Sequence, residues 1–129
     1  MNKIHAPAAL NRKFVEMMQL LNIYLNHFPK FEKYALTNRI RNTSYQMYDY
    51  IVEGQKRYHK KTTLTNLDIT HEQLRMQLYL ANELGYFNFK DGKAIVDSGL
   101  KSFKRYSAIN LKVNELGCMI GGWINSNSE

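Results

Sequence analysis

The residues best suited to chemistry are cations gathered in one part of the chain: Lys30, Arg39, Arg41, Lys56, Arg57, Lys60 and Lys61. Arg39 and Arg57 are eighteen residues apart, about five turns of a helix with ~3.6 residues per turn, and so share one flank. Lys30, Arg41 and Lys56 lie further round on the solvent side, and Lys60 and Lys61 continue the strip into the following turn. A cationic strip of this kind can follow a phosphate backbone, because each cation set against a phosphate releases condensed counterions. The competing reading is a solvated face with helix ion pairs to Glu32, Asp49 and Glu53, which stabilise little. Tyr45 and Tyr48 fall on the outer side beside Arg41, where an aromatic face could stack on an unpaired base. Tyr50, Tyr58 and Tyr106 fall on core arcs.

The residues offer little for catalysis. Histidines stand at positions 5, 27, 59 and 71, with no second ligand at helical spacing, so no metal site is expected within one subunit. His71-Glu72 lacks the later histidine of a zinc-protease helix. Gly121-Gly122 follows no strand and precedes no lysine, so it reads as a close-packing pair beside Trp123 rather than a phosphate loop. Cys118, the single cysteine, excludes an internal disulfide and suits a reducing compartment. No catalytic residue, metal or cofactor is expected.

Charge sharpens the binding reading. The chain of 129 residues has a formal charge of +7, and Met1–Lys61 holds eleven Lys/Arg against four Asp/Glu, while Thr62–Glu129 holds seven of each. The whole excess therefore sits in the first half, which is how a polyanion-binding face looks in sequence, although such asymmetry also occurs in proteins that merely stay soluble. No apolar run reaches the roughly 18–20 residues of a membrane span. A cytoplasmic protein of one domain over residues 1–129 is expected, with no membrane partner.

These side chains need helices to position them. Leu10, Phe14, Met17, Met18, Leu21 and Leu25 recur at spacings of three and four, which predicts a helix over about 8–27 that stops before Pro29. A second helix is expected over 30–59, about 45 Å long at ~1.5 Å per residue, with Leu36, Ile40, Thr43, Met47, Tyr50, Ile51, Gly54 and Tyr58 inward. Thr62-Thr63 and Thr65-Asn66 read as a polar turn in which Thr65 or Asn66 caps a third helix, about 66–85. That helix has two apolar stripes. Leu67, Leu74, Leu78 and Ala81 suit its own core, whereas Ile69, Met76 and Leu80 need another partner. Gly85 is a natural C-terminal stop. Phe87–Val96 flanks Asp91-Gly92 with aromatic and β-branched residues, the pattern of a short β-hairpin over about 87–97. A fourth helix over 102–125 turns Tyr106, Ile109, Val113, Leu116, Ile120 and Ile124 inward and leaves Leu111 and Cys118 outside. The expected fold is all-α, an antiparallel up-down-up-down four-helix bundle with that hairpin inserted between helices three and four. Ile69, Met76, Leu80, Leu111 and Cys118 would form the interface of a homo-oligomer; the rival is a third helix covered by the hairpin.

Several segments resemble the accessory variability determinant proteins of diversity-generating retroelements. They are the corner Phe28-Pro29-Lys30 with Tyr34-Ala35-Leu36-Thr37-Asn38-Arg39-Ile40-Arg41, then Ile51-Val52-Glu53-Gly54, then Leu74-Arg75 with Leu84-Gly85, and finally Glu115-Leu116-Gly117-Cys118-Met119-Ile120-Gly121-Gly122-Trp123-Ile124. The resemblance implies a four-helix bundle assembled into a basic pentamer. It also implies binding to the retroelement's reverse transcriptase and its RNA or DNA, in support of mutagenic copying. Arg39 matches the arginine of the family's second-helix motif. The sequence departs from the family at Thr37-Asn38, where a Gly-containing pair is frequent, and at Cys118 and Asn125, where basic residues are common; residues 88–100 read as an insertion. The Phe-Pro-Lys corner and the Glu-Gly pair are also similar to four-helix RNA-binding proteins encoded in ribosomal-RNA intervening sequences, the alternative family. A structural homo-oligomer without a nucleic-acid role is the third reading.

Overall fold

Leu10, Phe14, Met17, Met18, Leu21 and Leu25 are all buried on the inner face of the first helix, α1 (Ala6–Leu25). The computed structural model describes residues 6–90, 92 and 98–127. Three further helices complete it: α2 (Leu36–Lys56), α3 (Lys61–Glu83) and α4 (Ser98–Ser126). Each helix packs on two others, α1 on α2 and α4, and α3 on α2 and α4, around one shared core. Within that core Ile40, Met47 and Ile51 of α2 meet Leu67, Leu74 and Leu78 of α3 and Ile109, Leu116 and Ile120 of α4. Side chains pair across these boundaries: Phe14 with Tyr48 and Asn22 with Arg41 between α1 and α2, Lys13 with Glu115 between α1 and α4, and His71 with the Val113 carbonyl between α3 and α4.

The second helix is shorter than its apolar pattern predicts. Lys30–Glu32 forms a separate 3-10 turn, and α2 begins only at Leu36, giving 21 residues. The cause lies in Glu32, one of whose carboxylate oxygens accepts the Leu36 N–H at 3.1 Å while the other accepts the Tyr86 hydroxyl at 2.6 Å. A carboxylate that takes an orphan N–H starts a helix where it stands. The Tyr86 hydrogen bond, with that of the Leu36 backbone behind it, holds the Glu32 carboxyl below its ordinary value of 4.5. Stability linked to this group is therefore complete above the ordinary carboxylate range and drains away as pH falls through the lower folded value. Glu32→Gln is expected to flatten the loss of melting temperature between about pH 5 and about pH 3, read by circular dichroism; an unchanged slope would remove Glu32 from the acid response.

The other end of α2 also differs from expectation. Arg57 turns extended, so the helix stops at Lys56 and Tyr58 leaves the core arc for solvent. Ser44 is buried in place of the expected Thr43, which is only half-buried. Thr62, Thr63, Thr65 and Asn66 lie inside α3 rather than in a turn before it, and no side chain caps its start. Thr65 and Thr70 instead donate to the carbonyls of Lys61 and Asn66, and Thr63 donates to the Glu53 carboxylate. Hydroxyls satisfied four residues back can sit within a helix.

At the end of α3 the expected stop holds. Gly85 adopts φ +82°, and the N–H groups of Gly85 and Tyr86 donate to the carbonyls of Asn82 and Ala81, both at 3.0 Å. This is the pairing of a Schellman cap, which wants a residue free to enter the left-handed region. The expected hairpin is not supported. Among the described residues no strand forms; Asp91 and residues 93–97 lie outside them. Phe87 instead plugs the core, ringed by Tyr24, Phe28 and Tyr106. The Arg105 guanidinium donates to the carbonyls of Phe87 and Phe89, each at 2.9 Å, and lies 3.8 Å from the centre of the Phe89 ring. Backbone acceptors that a hairpin would pair with a second strand are thus taken by α4, which starts at Ser98, earlier than expected.

Close packing falls on different glycines from the pair the sequence singles out. A Cβ on Gly121 or Gly122 would meet nothing within 4 Å, whereas one on Gly117 would stand 2.7 Å from His71 and one on Gly54 2.9 Å from Trp123. The His71 ring is buried and tied by its Nε2 to the Val113 carbonyl at 2.7 Å, so it cannot yield without losing that bond. Overpacking costs about 1–3 kcal/mol against a helix-propensity gain of about 1 kcal/mol for Gly→Ala. Gly117→Ala is expected to lower stability in urea unfolding, and by more than Gly54→Ala, because Trp123 is only half-buried and can shift.

Candidate nucleic-acid interface

The cations that form one strip on a helical wheel are divided by the fold. Arg39 lies on the flank of α2 that faces α3, exposed, beside an open groove whose walls include Tyr34, Asn38, Asn42 and Gln46 on one side and Thr70 and Gln73 on the other. It makes no side-chain hydrogen bond or ion pair among the described residues. Arg41 goes the other way. Half-buried, it donates from Nε to Asn22 at 3.3 Å and from Nη2 to Asn26 at 2.9 Å, tying α2 to α1.

The α2–α3 turn uses some of its charge internally. The Lys60 ammonium donates to the carbonyls of Gly54 and Arg57, both at 2.6 Å, and so caps the C-terminus of α2, where a cation is favoured by the helix dipole. Arg57 faces Glu53 at 3.4 Å, and Glu53 also receives the Thr63 hydroxyl. Of the expected ion pairs to Glu32, Asp49 and Glu53, this is the one formed among the described residues; elsewhere Lys13 approaches Glu16 and Glu115, and Arg75 grips Glu72. Lys30, Lys56 and Lys61 are exposed and unpaired there. Of the seven cations in the expected strip, those available to a phosphate are therefore Lys30, Arg39, Lys56 and Lys61, with Arg57 held only by an exposed pair that a phosphate can displace.

Tyr45 is half exposed, and Tyr48 is anchored on the Phe14 ring with centroids 5.0 Å apart. Two tyrosines that the sequence did not mark for stacking are far more open: Tyr34, beside Arg39, and Tyr58, expected in the core but 90% exposed between Arg57 and His59. The overlooked signal for Tyr58 is its place inside the run Lys56-Arg57-Tyr58-His59-Lys60-Lys61, a lone tyrosine among cations.

The apolar surplus lies where the periodicity put it. Ile69, Met76 and Leu80 are exposed on the outer face of α3, and Leu111 (61%) and Cys118 on that of α4. Tyr79, Leu84, Leu100 and Phe103 are also exposed on these two helices or at their ends. No helix is long and apolar enough to cross a membrane, and no group of three or more His, Cys, Asp or Glu stands ready for a metal, in both cases among the described residues.

The family model described as bAvd-like matches residues 8–127, which is nearly the whole chain. The chain belongs to the bAvd-like family. This agrees with the resemblance carried by the Phe28-Pro29-Lys30 corner and the Gly121-Gly122-Trp123 ending. No curated protein and no solved structure matches the chain. In this bAvd-like protein the basic residues fall into two groups, since Arg41 and Lys60 hold the bundle while Arg39, Lys56 and Lys61 face outward.

Proposed function

We propose that this bAvd-like chain is a non-catalytic accessory subunit of a diversity-generating retroelement, acting in the cytoplasm. It binds the element's reverse transcriptase together with RNA or DNA through the basic α2 and α2–α3 surface, and supports mutagenic reverse transcription. The observation that carries this reading is the family match over residues 8–127. The unpaired Arg39, Lys56 and Lys61 support it, because exposed cations without carboxylate partners are free to neutralise phosphates. Family membership also favours it over the ribosomal-RNA intervening-sequence reading.

The contacts of α1 with α2 support an antiparallel pairing of these two helices, as an up-down-up-down bundle requires: Phe14 meets Tyr48 while the later Asn26 meets the earlier Arg41. Ile69, Met76, Leu80, Leu111 and Cys118 would then be covered by further copies of the chain, five in all by the resemblance. Light scattering on the purified protein tests this, and a monomer at micromolar concentration would refute it.

The test of the main reading is co-expression of a tagged chain with the reverse transcriptase encoded beside it. The expected result is co-purification, with RNA or DNA retained at low salt. Loss of both associations would end the proposal. A purely structural oligomer is the second reading, favoured by the internal engagement of Arg41, Arg57 and Lys60.

A further inference from the structure

We propose that Tyr58 is a stacking post for an unpaired base of a single-stranded polynucleotide, presented on a pinned turn between cations. The inference rests on the nucleic-acid reading above and adds to it the kind of strand and the residue that selects it.

Tyr58 is 90% exposed, the most open large hydrophobic side chain described. Its surroundings explain how an aromatic ring can be held out in water without joining the core. The turn leaves α2 at Arg57, whose backbone is extended at φ −74° and ψ 144°. It re-enters a helix at once, as the Lys60 carbonyl accepts the Leu64 N–H at 2.8 Å. Between these points the Lys60 ammonium reaches back to the carbonyls of Gly54 and Arg57, and Glu53 gathers Arg57 and Thr63. The short link is thereby fixed on both sides of Tyr58. The His59 ring stands against the Tyr58 ring at 4.7 Å and 75°, an edge contact that orients the tyrosine while leaving it open to solvent.

Lys56 and Lys61 flank this pair along the chain, both exposed and with no partner among the described residues. An open aromatic face with a free cation on either side along the chain suits one nucleotide step: the base would stack on the ring and the adjoining phosphates would lie within reach of the ammonium groups. A paired base keeps its faces inside the duplex stack and offers Tyr58 none. The site therefore prefers a single strand to a duplex of equal charge, and stacking makes it tolerant of sequence.

Fluorescence anisotropy with labelled 12-mers of oligo(U), oligo(dT) and a DNA duplex, at low salt, tests the assignment on the full-length chain. Tyr58→Ala is expected to weaken single-strand binding roughly 5- to 150-fold, the range for losing one base–aromatic stack. Tyr58→Phe should bind as wild type, and duplex binding should be unchanged in both variants. Oligo(U) and oligo(dT) arms show whether RNA or DNA is preferred; either preference is compatible with stacking. Equal single-strand affinity in Tyr58→Ala would overturn the stacking role while leaving the basic surface intact. A wild-type chain that binds none of the three would overturn both readings. A change of oligomeric state in Tyr58→Ala on light scattering would instead make the residue a subunit contact and also overturn the proposal.

Discussion

Phe87→Ala is expected to remove about 3–5 kcal/mol of folding stability, the cost of deleting a fully buried aromatic ring. The ring has no exposed surface and is edge-on to both Tyr24 and Phe28, at centroid distances of 5.8 and 5.4 Å. Its loss would leave a cavity that α1, α4 and the 28–31 corner cannot all close upon. For a domain whose whole stability is about 5–15 kcal/mol, such a loss brings the transition within reach of mild urea. Phe89→Ala is the control. Phe89 is only half-buried, stacked on His27 at 4.5 Å with Arg105 over its ring, so its removal should cost clearly less. Urea unfolding of the two variants checks the order. A Phe87→Ala variant within about 1 kcal/mol of wild type would mean that the ring is not the core element described.

That outcome bears on how the sequence is read, because Phe87 lies in the segment whose composition predicts a hairpin. Apolar periodicity located all six inner residues of α1 and the inner line Ile109, Val113, Leu116 and Ile120 of α4. It did so because one face of each helix meets one core and the pattern is local. It failed where a distant group decides. The start of α2 is set by Glu32, held from 54 residues away by Tyr86, and the backbone of Phe87–Phe89 is claimed by Arg105 of α4. Neither partner is visible in a window of neighbouring residues. The threonines at the start of α3 misled for a related reason: polar and β-branched, they favour turns, but hydroxyl bonds from Thr63 to Glu53 and from Thr65 to the Lys61 carbonyl satisfy them in a helix.

The basic surface was legible as a region and not as a set. One-sided charge marked α2 and its following turn, and Arg39, Lys56 and Lys61 are outward and unpaired among the described residues. Extending a helical wheel through Tyr58 misplaced it, since the helix ends at Lys56. The wheel also treated Arg41 as solvent-facing, although its flank meets Asn22 of α1 and Asn26 just beyond that helix. A wheel gives angles about one axis and says nothing of which flank a neighbouring helix covers.

This division makes the second large effect specific. A variant with Arg39→Gln, Lys56→Gln and Lys61→Gln is expected to bind single-stranded polynucleotide with a log–log salt slope lower by about 2, since each neutralised phosphate contributes ~0.7 for a single strand. At ~0.15 M salt that change corresponds to about 50-fold weaker binding. None of the three side chains makes a hydrogen bond or ion pair within the described structure, so the melting temperature should stay near that of wild type. Arg41→Gln provides the contrast: it removes the ties to Asn22 and Asn26, and should lower stability by about 1 kcal/mol with the salt slope kept. The two variants thus separate charge that reads a partner from charge that holds the bundle. If the triple variant keeps the wild-type slope, its cations do not meet phosphate and the oligomer without a nucleic-acid role becomes the better account. If Arg41→Gln alone lowers the slope, the α1–α2 seam carries the contact, because there the guanidinium would have to leave its amides for a phosphate.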